Sequence, residues 1–289
     1  MKILILGLGK SGTTAMVYKV AGGLPNCQAF SGGKPGKYLG NYESVVYKHT
    51  YEERKGKCFD HYREHLSKEN YDRKIRMARD PRDASISRTL YRWHRGFFGH
   101  RKQYQAHLNL VLKKEQNPKT IPFCEICLYI GYNGWSRDKE AVFEEEQIRY
   151  QRMQEFVKIL GDDWFMYRYE DMVDKKFDTL NAYLGFETKT DAEVPSGTGK
   201  EKVVRKKSYG DWRYWYTEAD VALFKPAYTP YMEAVGYDCD DWEISDQPVI
   251  ELEFSFQYMQ SLPGKTKKNL IVQFVDNFSQ RLFKKGSLT

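Results

Sequence analysis

The sequence predicts an α/β protein with a mainly parallel sheet flanked by helices. Three observations carry this reading. Apolar runs of strand length alternate with helical patterns, a glycine-rich turn joins the first strand to the first helix, and hydrophobic residues make up 41% of the 289 residues against 29% charged. Strands alternating with helices build a sheet covered on both faces. That composition supplies an ordinary globular core. No repeat or long linker divides the chain, so a single domain over residues 1–289 is expected.

Residues 2–6, Lys-Ile-Leu-Ile-Leu, read as the first strand, and residues 13–21 as a helix opening from the glycine turn. Residues 22–42 are rich in glycine and proline and read as a loop around one short strand. Further strands are expected at 44–49 and 74–78, and helices at 82–93, 104–114 and 139–160. The apolar run 123–130 reads as a strand, on which Cys124 and Cys127 would point to opposite faces. With five cysteines in scattered positions, that pair reads as buried free thiols rather than as zinc ligands or a disulfide framework. A strand at 164–169 and a helix at 172–184 follow, with Gly161 and Gly185 where helix C-caps belong. Thr217 and Asp220 have the spacing of a helix start and open residues 218–235, although Pro226 and Pro230 argue against one straight helix. Residues 269–285 carry an amphipathic pattern suited to packing on the main domain.

The formal net charge of +7 is modest and suits a small anionic ligand, so no nucleic-acid partner is expected. No run of apolar residues is long enough for a transmembrane segment. The apolar start runs into the glycine turn without a small-residue cleavage site, so it reads as a strand rather than a signal peptide, and the expected location is cytoplasmic. The 22 tyrosines, with an aromatic share of 15%, lean toward a ring-bearing acceptor such as a carbohydrate.

Four segments carry chemistry. Between the first strand and helix stands Gly7-Leu8-Gly9-Lys10-Ser11-Gly12-Thr13-Thr14. Its glycines let successive N–H groups turn toward an anion, and the helix N-terminus adds partial positive charge. An ATP-binding P-loop has lysine after its last glycine; here Thr13 stands there, and the lysine is Lys10, inside the loop. The second segment, Arg79-Asp80-Pro81-Arg82-Asp83-Ala84-Ser85-Ile86-Ser87, puts an arginine at a strand end and a hydroxyl two turns into the next helix, where both reach one phosphate. The third is Arg205-Lys206-Lys207-Ser208-Tyr209-Gly210-Asp211-Trp212. The fourth is the strand end Tyr169-Glu170-Asp171.

In kind and order these segments resemble the PAPS-dependent sulfotransferases, whose loop reads G-x-x-K-S-G-T-T and whose later motifs are R-[DN]-P-x-D-x-x-x-S and R-K-G-x-x-G-D-W. The resemblance covers residues 1–237 and leaves 238–289 as a C-terminal extension. It implies a P-loop-like sulfotransferase fold. It also implies the cofactor 3′-phosphoadenosine 5′-phosphosulfate (PAPS), leaving 3′,5′-ADP, with no metal required. By the same resemblance Gly9, Lys10, Ser11, Gly12, Thr13 and Thr14 hold the 5′-phosphosulfate. Arg79, Ser87, Arg205, Lys206 and Lys207 hold the 3′-phosphate, and Tyr169 contacts the adenine. Two departures stand out: Ala15 replaces a tryptophan that many relatives stack on adenine, and Lys207 replaces the glycine of the third motif.

Sulfuryl transfer is a loose in-line displacement in which positioning and charge stabilisation dominate. Lys10 is placed to stabilise the 5′-phosphate leaving group. The acceptor, a small-molecule or glycan hydroxyl, needs a base. The strand 45–50 ends in Lys48-His49, where many relatives carry K-x-H, and His49 is the first candidate. Alternation sends Lys48 and His49 to opposite faces. Some carbohydrate sulfotransferases use a glutamate instead, which points to Glu43. Two other readings stay open. One is a P-loop kinase using Mg-ATP, with Glu170 and Asp171 at the magnesium. The other is a non-catalytic nucleotide-binding protein whose basic segment 265–285 meets an anionic partner.

Overall fold

The computed structural model describes residues 1–30, 41–51, 66, 70–94, 96–97, 100–128, 138–195 and 206–262. Among the described residues five strands, β1 (Lys2–Leu8), β2 (Cys27–Phe30), β3 (Ser44–Tyr51), β4 (Arg73–Ala78) and β5 (Phe165–Arg168), form one sheet in the order β2-β3-β1-β4-β5. Every pair is parallel, and Leu6 of β1 lies between His49 of β3 and Arg76 of β4. A parallel sheet is covered on both faces, which is why β1 is apolar at successive positions. Its Ile3 and Ile5 enter one core, and its Leu4, Leu6 and Leu8 the other.

The smaller core takes Met16, Val17 and Val20 from α1 (Thr13–Gly22), Met172 from α6 (Tyr169–Val173), and Leu180 and Leu184 from α7 (Asp178–Leu184). The larger core lies under α2 (Pro81–Leu90), α3 (Arg101–Gln116), α4 (Phe123–Cys127), α5 (Lys139–Ile159), α8 (Trp212–Trp215), α9 (Glu218–Val235) and α10 (Phe256–Ser261).

Two expectations change. Residues 123–127 are helix, not strand: Asp220 reaches across to accept the N–H groups of Phe123 and Cys124, both at 2.7 Å. A carboxylate on the open N–H groups of a helix start favours helix. Cys124 and Cys127 are nevertheless buried free thiols, both raised by burial, Cys124 to about 12. The single helix expected over 172–184 is two, because Lys175 turns the chain at φ +59°. The helix through Pro226 and Pro230 is unbroken. Both prolines are on its exposed side, where the carbonyls they leave without an N–H reach water. Its start is a capping box between Thr217 and Asp220. Residues 269–285 lie outside the described residues.

Residues 238–262 belong to the same body. Trp242, Ile250 and Met259 are buried in the larger core. The Arg82 guanidinium lies against the rings of both Trp212 (4.0 Å) and Trp242 (4.8 Å). Ser255 and the N–H of Phe256 both bind Glu115 of α3. Among the described residues no helix is long and apolar enough to cross a membrane.

Candidate functional site

Strand ends gather the site. Ligands of open α/β sheets bind beyond the C-terminal strand ends, and three of the expected segments start there, after β1, β4 and β5. After β1 the chain turns tightly, with the N–H and the hydroxyl of Ser11 both on the carbonyl of Leu8 (3.2 and 2.8 Å). Gly7 has no room for a side chain, since a Cβ would collide with Ser11 Oγ and lie 3.0 Å from Met77 Cβ. Gly12 caps α1 at φ +84°, and a Cβ there would be 2.7 Å from the Tyr169 ring. Gly9 is half-buried in this turn, Thr13 is buried and Thr14 half-buried. Lys10 also takes a left-handed backbone, φ +76°, a conformation costly for a residue with a Cβ and frequent at binding sites.

Arg79, just beyond β4, joins this turn. Its Nη1 donates to the Lys10 carbonyl at 3.0 Å, and its guanidinium lies 4.1 Å from the Tyr169 ring centroid. Its Nε is buried and has no hydrogen-bond partner. Tyr169 therefore packs between Gly12 and Arg79. Asp80 caps α2 by accepting the N–H of Arg82 at 2.9 Å and clasps the Arg82 guanidinium. Its own N–H donates to Glu170 Oε1 (3.0 Å), and the other Glu170 oxygen accepts the Tyr237 hydroxyl (2.6 Å). Burial raises the Glu170 carboxyl above its ordinary range.

Asp83 ties the second segment to the third. Its carboxylate accepts the N–H groups of Gly210 (2.6 Å) and Trp212 (3.0 Å). Burial, with the charge of Asp80 beside it, pushes this carboxyl up to about 7. Ser87 is half-buried four residues on, one turn along the same face of α2. In the third segment Lys206 is held by Asp211 (2.9 Å) and Glu251 (3.0 Å). Lys207 adopts φ +52°, the region its glycine counterpart in the resembled motif would favour. Its exposed ammonium lies 3.7 Å from Glu193. The lysine side chains are thus turned to carboxylates of this chain. Arg205 lies outside the described residues.

Lys48 and His49 part company, as strand alternation requires. Lys48 Nζ donates to Thr14 Oγ1 at 3.0 Å and so meets the start of α1. His49 enters the opposite face and is buried with its ring 6.2 Å from that of Phe156. Burial, then the charge of Lys48, lowers it to about 4. Glu43 is not brought to the turn. It is exposed at the other end of β3, where its carbonyl accepts the Met1 ammonium at 3.0 Å. The whole length of the strand separates it from Lys10.

Two residues were missed in the sequence. The Lys10 ammonium lies 3.6 Å above the centre of the Tyr91 ring, and His94 is stacked on Tyr91 at 4.0 Å with the planes 10° apart. For Tyr91 the signal was present, since it follows Asp83 and Ser87 at intervals of four, on one helix face. Among the described residues no group of three or more His, Cys, Asp or Glu side chains is placed to hold a metal ion.

Comparison of the chain with protein-family models, with characterised proteins and with solved structures returned no match.

Proposed function

We propose that the protein is a PAPS-dependent sulfotransferase with a P-loop-like fold, moving a sulfuryl group to an acceptor hydroxyl. The observation that supports this best is the Arg79 bridge. An arginine from a separate strand end is anchored on the carbonyl of the loop lysine and keeps a buried Nε without a partner. A buried unpaired donor is costly, and an anion beside Arg79 would satisfy it.

On this reading the turn Gly9–Thr14 and Lys48 receive the 5′-phosphosulfate, and Arg79 and Ser87 the 3′-phosphate. PAPS supplies an activated sulfuryl group on a good leaving group. Lys10 stabilises charge as it develops on the 5′-phosphate, which is where preorganised charge contributes most. The kinase reading is less favoured: Thr13 stands where its lysine belongs, and both oxygens of Glu170 already accept hydrogen bonds from this chain.

The test is calorimetry with 3′,5′-ADP, 5′-AMP and Mg-ATP on the full chain. The expected result is 3′,5′-ADP binding at least about tenfold tighter than 5′-AMP, a margin erased in Arg79→Ala. Equal affinity for the two, or binding of Mg-ATP alone, overturns the proposal.

A further inference from the structure

We propose that Asp83 is a positioning residue: it holds the segment 206–212 in place for the 3′-phosphate by two backbone N–H groups, and so governs how fast the nucleotide leaves. This rests on the sulfotransferase reading and deepens it.

Asp83 and Ser87 are four residues apart on one face of α2. The helix that carries the hydroxyl assigned to the 3′-phosphate therefore also carries this carboxylate. One Asp83 oxygen accepts the N–H of Gly210 at 2.6 Å and the other that of Trp212 at 3.0 Å, a grip on both sides of Asp211. On its other side the segment reaches the turn after α6, where the Tyr209 hydroxyl donates to Asp174 at 3.0 Å. The segment thus bridges α2 and α6, and Arg79 and Tyr169 stand at the starts of those two helices.

Of these contacts the buried ones govern. Lys206 on Asp211 and Glu251, Lys207 on Glu193 and Tyr209 on Asp174 are all in reach of solvent, where such pairs contribute little. Asp83 is only 3% exposed. A charged acceptor out of water makes the stronger hydrogen bonds, and removing both donors would leave that carboxylate buried and unsatisfied. Trp212 is itself buried, against Arg82, and fixes the C-terminal end of the segment. A swing outward would therefore involve Lys206 to Gly210 and turn at Gly210, whose φ is +81°. With nucleotide bound, the 3′-phosphate and Asp83 hold one segment from two places. Each then strengthens the hold of the other, since coupling between two sites is reciprocal.

The experiment compares the full wild-type chain with Asp83→Asn, which keeps the shape and one acceptor but turns an amide NH2 toward a backbone N–H. The grip needs the ionised carboxylate. Burial, then the charge of Asp80, pushes that carboxyl up to about 7, with Arg79 and Asp211 the other charges facing it. Binding is therefore measured at about pH 8.5. Stopped flow and calorimetry follow 3′,5′-ADP and 5′-AMP. The expected result in Asp83→Asn is release of 3′,5′-ADP faster by about tenfold or more, with 5′-AMP affinity within about twofold of wild type. Unchanged release of 3′,5′-ADP overturns the inference. So does equal weakening of both nucleotides, the mark of a fold loosened as a whole. In parallel, NMR follows hydrogen exchange of the Gly210 and Trp212 amides in the wild type alone, which needs no variant to fold. There 3′,5′-ADP should slow both amides by about tenfold or more, and 5′-AMP should not. Equal protection by the two nucleotides, or none by 3′,5′-ADP, overturns the inference as well. Wild-type protein that binds no 3′,5′-ADP overturns the sulfotransferase reading together with it, an outcome distinct from the others.

Discussion

At the scale of single residues, the site is built from side chains whose environments oppose their ordinary chemistry. Lys10 holds a left-handed backbone and rests its ammonium on an aromatic ring, an arrangement that keeps the charge while shedding part of its water. His49 is the sharper case, because its burial has a measurable pH signature. The unfolded chain protonates this ring near pH 6.5 and the folded chain only near pH 4. Between those values the unfolded state binds more protons, so stability falls as the pH is lowered. The contribution is fully present above pH 6.5 and is lost on the way down to about pH 4. Urea midpoints measured across that window for the wild type and His49→Gln should show the steeper acid loss in the wild type. Parallel curves would place His49 in water.

At the scale of elements, buried carboxylates fix helix starts that propensity alone does not. Asp220 is fully buried and accepts the N–H groups of Phe123, Cys124 and Thr217 and the hydroxyl of Thr217. It therefore starts α4 and α9 together. Asp220→Ala leaves those donors without an acceptor and should cost about 3 kcal/mol, read as a lower denaturant midpoint with an unchanged slope. A loss near zero would mean that water replaces the carboxylate. The same residue explains the limit of the sequence reading. The run at 123–127 is short and apolar, and such a run fits strand or helix until something outside it decides; that something lies almost a hundred residues away. Lys175 is a second instance, since nothing in the identity of a lysine announces a left-handed turn. By contrast, β1 with its turn, the helix after Pro81 and the start at Thr217 are legible, because glycine, proline and threonine act on their own neighbours. In the site, the turn and Arg79 were legible as motifs. The stack of Tyr91 and His94 was not, because the chain that returns His94 is irregular.

At the scale of the whole molecule, residues 238–262 are part of the core. They bury Trp242, Ile250, Met259 and Leu262 and set the Trp242 ring against Arg82. Each such side chain contributes about 1.5–3 kcal/mol. A chain ending at residue 237 should therefore melt about 10 °C lower or more, followed by circular dichroism. An unchanged melting temperature would make the segment an accessory. The order of the sheet has a further consequence, for synthesis. β1 is synthesised before either of its neighbours, yet it is the middle strand, with β3 on one side and β4 on the other. At roughly 5–20 residues per second, the nascent chain carries a bare apolar strand for several seconds before β4 has been made. Until β3 emerges both edges of β1 are open to any other extended chain, and until β4 follows one edge still is, so the risk of association falls during synthesis, before the stability of the fold is defined.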